Sequence, residues 1–282
     1  MNKKLSHKVD ECLSSISLKE ANKYINFEDI DLVMNEKKDQ KFSIGIKKLL
    51  ILILALFFPI FMELVFIQEI TETNDSFFPK LVVILLELLI ICLITYQFLK
   101  QYNNFLRNWG YKKYCYISAK LAYISYFIVG FGMNMGDYRI TFVVVTFCIV
   151  VLLFLYYKVE QNMILEEINE AFNRNYKTSK VMNIMLKVSG VVAVLILIGM
   201  QVYRLNKWWL NGIVDGNPTI QNSLVDNLIG IFIGIPLLLL ISLIPTYFLF
   251  NVKHHVQGKV ISQYSEQFRE QYNYTKKEWY GD

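Results

Sequence analysis

Six long apolar stretches divide the chain, and the basic residues sort into alternate gaps between them. Of the 29 Lys and Arg, only Lys80, Arg139, Arg204 and Lys207 fall in the gaps after the first, third and fifth stretches, and the other 25 fall on the opposite side. Lys and Arg beside a span resist translocation, so the side that collects them stays cytoplasmic. The pattern predicts an all-α polytopic membrane protein with six transmembrane helices and both termini inside.

With 54% apolar and only 19% charged residues, the chain carries more apolar surface than a soluble fold of 282 residues needs. The excess is expected to face lipid. A hydrocarbon core of about 30 Å takes roughly 17 to 25 residues per helix, which places spans at about 49–67, 81–99, 115–135, 140–157, 181–203 and 228–250. The third is weakened by Lys120, Tyr123, Tyr126 and Asn134, and the fifth requires Lys187 to snorkel inward. Dropping either alone would invert every later loop and destroy the charge sorting. The expected organisation is a cytoplasmic N-terminal segment over 1–48, a transmembrane domain over 49–250 and a cytoplasmic helical tail over 251–282.

On this topology the cytoplasmic side carries 25 basic and 16 acidic residues, and the outer side 4 and 6. A surface at +9 suits the anionic inner leaflet of a bilayer. Nucleic acid is not an expected partner, because the Lys residues are spread over four juxtamembrane segments and form no single stripe. The first 48 residues are polar and include ten Lys, so a secretory leader is not expected there. Abundant Lys, Asn, Ile and Tyr match an AT-rich bacterial genome, and the expected address is the bacterial cytoplasmic membrane. Cys12, Cys92, Cys115 and Cys148 form no CxxC pair, and two of them lie in spans, so neither a disulfide framework nor a zinc site is expected.

In the N-terminal segment Leu5, Val9, Cys12, Leu13 and Ile16 recur at helical spacing, and Ser17 with Glu20 has the form of a capping box opening a second short helix. Under fifty residues bury little core alone, so these helices are expected to lie on the membrane or on other cytoplasmic parts. After the fourth span Val159, Met163, Ile168, Phe172 and Tyr176 form an apolar stripe. After the sixth, Val256, Val260, Tyr264, Phe268 and Tyr272 form another. The fourth helix is expected to run on past the bilayer, and the sixth to bend at Gly258. Phe105–Trp109, Phe172–Tyr176 and Phe268–Tyr272 share the pattern Phe-x-x-Asn/Gln-Trp/Tyr, which suggests three hairpin-plus-amphipathic-helix units. The competing account is that aromatic and basic residues gather at any inner interface.

The residues that cost most to place in lipid are Glu63 and Glu87, each roughly 8 to 9 Å in from the outer end of its span at 1.5 Å per residue. Two carboxylates at one depth would raise at least one pKa and create a proton or cation site. The alternative is that each reaches headgroups or is protonated against a neighbour. Pro59 stands four residues before Glu63. Asn134, Gln201, Pro236 and Pro245 are the other candidates for an ion or substrate path, since prolines in the sixth span free carbonyls that neighbours must satisfy. Gly230 and Gly234 allow close helix approach. Phe172, Tyr176, Tyr264, Phe268 and Tyr272 are the candidates for binding a protein partner through helix-in-groove contacts.

No phosphate loop, His-Glu-x-x-His, Gly-x-Ser-x-Gly or dinucleotide fingerprint occurs, so no catalysis, cofactor or metal is expected. Glu166 and Glu167 are expected on a solvated face, and His254 with His255 at a surface or interface. The expected function is a membrane transport component, a permease or permease subunit without its own ATPase. Six spans with an amphipathic N-terminal helix resemble the layout of bacterial ABC exporter permeases, a resemblance that implies a separate energy-coupling subunit and carries over no residue roles. The segments after spans four and six depart from that layout. The alternative is a non-catalytic membrane partner, such as an immunity or assembly factor, acting through its cytoplasmic stripes.

Overall fold

The computed structural model describes residues 3–34, 41–72, 77–100, 105–132, 138–192, 194–195 and 235–280. Among these residues every regular element is a helix. Three short helices open the chain: α1 (Lys3–Ser14), α2 (Leu18–Tyr24) and α3 (Phe27–Met34). Four long ones follow, namely α4 (Lys41–Glu72), α5 (Phe77–Leu99), α6 (Arg107–Gly132) and α7 (Tyr138–Phe172). After a helical stretch over 180–192 come α8 (Ile235–Ser242), α9 (Ile244–Leu249), α10 (Val252–Gln263), α11 (Ser265–Gln271) and α12 (Lys276–Tyr280).

One stretch among the described residues, Thr146–Phe172, is long and apolar enough to cross a membrane by length and composition, and Ile84–Leu99 and Leu239–Leu249 are shorter apolar helices. Helix α4 covers the expected span 49–67 and extends past both its ends, continuing through Pro59. Helix α5 covers 81–99, and α6 starts before residue 115. Of 181–203 and 228–250 only parts are described.

Two apolar clusters organise the fold. The first lies between α4, α5, α6, α7 and the 180–192 stretch, and holds Ala55, Ile90, Ile94, Ile124, Leu152, Leu186 and Leu243. The helices around it present large side chains outward. On α4, Leu49, Ile53, Leu54, Phe57, Phe61 and Leu64 are 48 to 73% exposed, whereas the small Ala55 is buried. On α5, Leu85, Leu89 and Leu99 face out while Ile90, Ile94 and Glu87 face in. This inverts the amphipathicity of a helix packed in water.

The second cluster is built the usual way. Val9, Cys12, Leu13 and Ile16 of α1 and its following turn, Ala21, Ile25, Ile30 and Val33 from the next two helices, Ile164, Leu165, Ile168 and Phe172 of α7, and Val256, Val260, Ile261, Phe268 and Trp279 of the tail pack into one core. Helix α7 serves both clusters: Cys148, Leu152, Leu155, Tyr156 and Val159 belong to the first, and its last three turns to the second. The expected continuation of this helix beyond residue 157 is thus present. It ends at Phe172 because Asn173 takes a left-handed φ of 49°, a conformation Asn tolerates better than most residues.

Local capping is as the sequence suggests. The Ser17 side chain accepts from the Glu20 backbone and the Glu20 carboxylate accepts from the Ser17 backbone at 2.9 Å. A third N-terminal helix, α3, was not expected; a reciprocal pair between Asn26 and Asp29 opens it, with Asp29 N–H on Asn26 Oδ1 at 2.8 Å and Asn26 N–H on Asp29 Oδ2 at 3.1 Å.

Two expectations are corrected. The tail does not bend at Gly258. Helix α10 runs straight through it, and the glycine is there because Trp109 leaves no room: a Cβ would lie 2.5 Å from the indole ring. The stripe from Val256 to Tyr272 is not one helix, since the chain breaks at Tyr264 between α10 and α11. The similar five-residue words match in part: Leu106 and Asn173 both take a left-handed φ, 57° and 49°, directly after the Phe, whereas Phe268 lies inside α11.

Candidate functional site

Within the first cluster, Glu87 is fully buried on α5, and its Oε2 accepts a hydrogen bond from the Ser125 hydroxyl of α6 at 2.6 Å. The serine supplies a donor to a carboxyl that apolar surroundings would otherwise leave poorly solvated. Of the residues expected to accompany it, Glu63 lies within α4, but its side chain is outside the described residues, as is that of Pro236 in α8. Asn134 and Gln201 are outside them altogether.

Pro245 occupies the first turn of α9, and Leu243 before it takes φ −79° and ψ −6°, where α8 gives way to α9. A proline in a first helical turn loses no intrahelical bond, which is why the break falls there. At this break the Ser242 carbonyl accepts from the Tyr156 hydroxyl at 2.5 Å.

Just below the break a polar network joins three helices. The Tyr116 hydroxyl donates to Glu160 Oε1 at 2.6 Å and lies 3.1 Å from Thr246 Oγ1. Lys120 forms an ion pair with the same Glu160 oxygen, and its ammonium sits 4.9 Å from the Tyr116 ring centre and 4.7 Å from that of Tyr156. Sequence reasoning counted Lys120 as a flaw in span three and passed over Glu160. The available signal was the matched spacing of Tyr116 with Lys120 and Tyr156 with Glu160, each four apart and so on one helix face.

The partner-binding candidates are covered by this chain itself. Phe172 packs on Tyr24 with ring centres 4.8 Å apart, and the Tyr24 hydroxyl donates to Glu167 at 2.8 Å. Burial, followed by the adjacent carboxylate, pushes the Tyr24 phenol well above its usual range. Phe268 is fully buried and Tyr176 packs on the same core. The Tyr264 hydroxyl donates to the Ile16 carbonyl at 2.5 Å and that of Tyr272 to the Ile25 carbonyl at 3.3 Å. The surface expected to receive a foreign helix is therefore occupied by the N-terminal segment. The physical reason is that α1 to α3 have no core of their own and complete the stripes.

Glu166 and Glu167 are likewise not a solvated pair, since Glu166 accepts from Asn183 and Glu167 from Tyr24. His254 is buried rather than at the surface. Among the described residues no group of three or more His, Cys, Asp or Glu is placed to hold a metal ion. No family model matches the chain, and no curated protein or solved structure matches it.

Proposed function

We propose that the chain is a six-pass protein of the cytoplasmic membrane, with both termini inside, that acts as a transport component, a permease or permease subunit without its own ATPase. The outward apolar belt supports the membrane assignment. Six large side chains of α4 alone, left in water at roughly 1.5 to 3 kcal/mol each, would forgo on the order of 10 kcal/mol, which is as much as the whole stability of a typical domain.

Glu87 is the observation that carries the transport reading. A fully buried carboxyl that accepts from the Ser125 hydroxyl, on a largely apolar helix, is a group able to exchange a proton or hold a cation. The proline break between α8 and α9 lies in the same cluster and supplies irregular backbone of the sort that lines transport paths. The rival assignment, an immunity or assembly factor docking through the stripes, would need another surface.

Two measurements test the proposal. In a cysteine-free background, a cysteine placed at Lys276 should react with a membrane-impermeant maleimide only after cells are permeabilised; labelling of intact cells would overturn the orientation. In proteoliposomes carrying an internal pH dye, an imposed potassium diffusion potential should drive proton entry through the wild type. The Glu87→Gln variant should lose at least tenfold of that rate, and Glu87→Asp should retain part of it. Equal rates in wild type and Glu87→Gln, or no rate in wild type above protein-free vesicles, would overturn the role of Glu87.

A further inference from the structure

Where α6, α9 and α10 meet, a cavity of about 250 Å³ opens at the level of the Lys120–Glu160 pair. We propose that it binds the phosphate headgroup of an anionic phospholipid from the inner leaflet. This rests on the orientation given above and not on the transport reading.

Charge is the first ground. Lys112, Lys113 and Lys120 line the cavity against one carboxylate, Glu160, which Lys120 already engages. Lys113 is held 5.1 Å over the Trp109 ring, an arrangement that orients its ammonium without neutralising it. Asn251, the N-cap of α10, also lines the cavity and accepts from the His254 backbone N–H at 2.9 Å, so the positive end of this twelve-residue helix faces the space.

The second ground is independent of charge. His254 is 6% exposed and lines the cavity, and its Nε2 is buried with no hydrogen-bond partner among the described residues. A buried nitrogen left so costs roughly 1 to 3 kcal/mol, and a phosphate oxygen would accept from it. Burial first, then Lys112, depresses this imidazole to about 4, and only the smaller Lys112 contribution is one that an anion would relieve.

Shape favours a lipid over a free anion. Leu249 and Phe250 line the cavity, and Tyr247, Phe248 and Leu249 are 44 to 58% exposed, so apolar surface adjoins its polar end. Acyl chains can follow such a surface, whereas a soluble phosphate has no use for it. The volume falls just below that of drug-sized ligand sites, roughly 300 to 1,000 Å³, and so suits a headgroup and not a whole lipid. Basic pockets on the cytoplasmic side of helix bundles recognise acidic headgroups in this way.

The test uses the full-length protein, delipidated in dodecyl maltoside, with bound lipid counted by native mass spectrometry. Dioleoyl phosphatidylglycerol should occupy one saturable site, and dioleoyl phosphatidylcholine should not. Lys112→Gln/Lys113→Gln should weaken phosphatidylglycerol binding tenfold or more, Lys113→Gln alone should weaken it measurably, and Lys19→Gln/Lys23→Gln on the exposed face of α2 should stay within twofold of wild type. Unchanged thermal midpoints would confirm that each variant is folded; if the double variant is unfolded, the single one decides. Equal retention of the two lipids, or unchanged affinity in the folded cavity variants, would overturn the site. Displacement of phosphatidylglycerol by inorganic phosphate alone, at matched ionic strength, would overturn the lipid assignment in favour of a soluble phosphate. Because binding is read in detergent, its failure is separate from a failure of the tail-labelling experiment.

Discussion

The Tyr264 hydroxyl donates to the carbonyl of Ile16 across 248 residues of sequence, at 2.5 Å. Ile16 lies in the turn between α1 and α2, and Ile25, which accepts from Tyr272, ends α2. Two tyrosines eight positions apart thus tie down the two ends of α2.

Replacing Tyr264 by Phe removes one bond and leaves a carbonyl in a half-buried setting. We expect a loss of about 0.5 to 1.5 kcal/mol, with a similar or smaller loss for Tyr272→Phe, whose bond is longer. The readout is hydrogen exchange: amides of α1 to α3 should exchange faster in the double variant while those of α5 and α6 stay as they were. Unchanged exchange over residues 9–33 would show that the hydroxyls hold nothing.

Gly258→Ala sets a helix-propensity gain of up to about 1 kcal/mol against a Cβ placed 2.5 Å from the Trp109 ring. Overpacking against a rigid indole costs about 1 to 3 kcal/mol, so the variant should melt below wild type in detergent. Gly45→Ala is the control. No atom lies within 4 Å of the added carbon on exposed α4, and its midpoint should rise or stay level.

Ser125→Ala should destabilise the bundle by about 1 to 3 kcal/mol, because it takes the donor from a carboxyl that is fully buried. Adding Glu87→Gln to it should recover part of the loss, since a neutral amide costs less to bury than a carboxylate. Additive losses in the double variant, measured by chemical denaturation in mixed micelles, would contradict this coupling.

Acid should loosen the core around α10 before most carboxylates titrate. Burial foremost, then Lys112 beside His254 and Lys259 and Lys113 beside His255, holds both imidazoles near 4, against 6.5 ordinarily. The unfolded chain therefore binds more protons between those values, and stability present above pH 6.5 is lost as pH falls toward 4. Between pH 7 and 5 the thermal midpoint should fall in wild type and fall less in His254→Gln/His255→Gln. Glu20 and Glu266, held below the usual carboxylate range by hydrogen bonds from Ser17 and Tyr280 respectively, act only below that window.

What could be read from the sequence was local. The Ser17–Glu20 box and the run of α7 past residue 157 follow from spacing within one helix and are present, whereas each stripe outruns its first helix, which ends at Phe172 or at Gln263. What could not be read was which surface meets which. Gly258 suggested a bend because only its own helix was in view, while the cause is Trp109, 149 positions away in sequence. Lys120 looked misplaced until Glu160 came beside it, and Phe172 and Phe268 looked like open docking points until α1 to α3 covered them. The similar words around Phe105 and Phe172 share a left-handed residue directly after the Phe, and the one around Phe268 lies within a helix.

Helix α7 holds 35 residues without a break, roughly 50 Å at 1.5 Å per residue, and its two halves are clamped in different surroundings. It therefore joins the two apolar clusters through one continuous rod. A tilt of about 5° at its midpoint would carry each tip by roughly 2 Å at that length, enough to shift Phe172 against Tyr24. A displacement of one apolar cluster would in this way be carried to the other with no messenger in between.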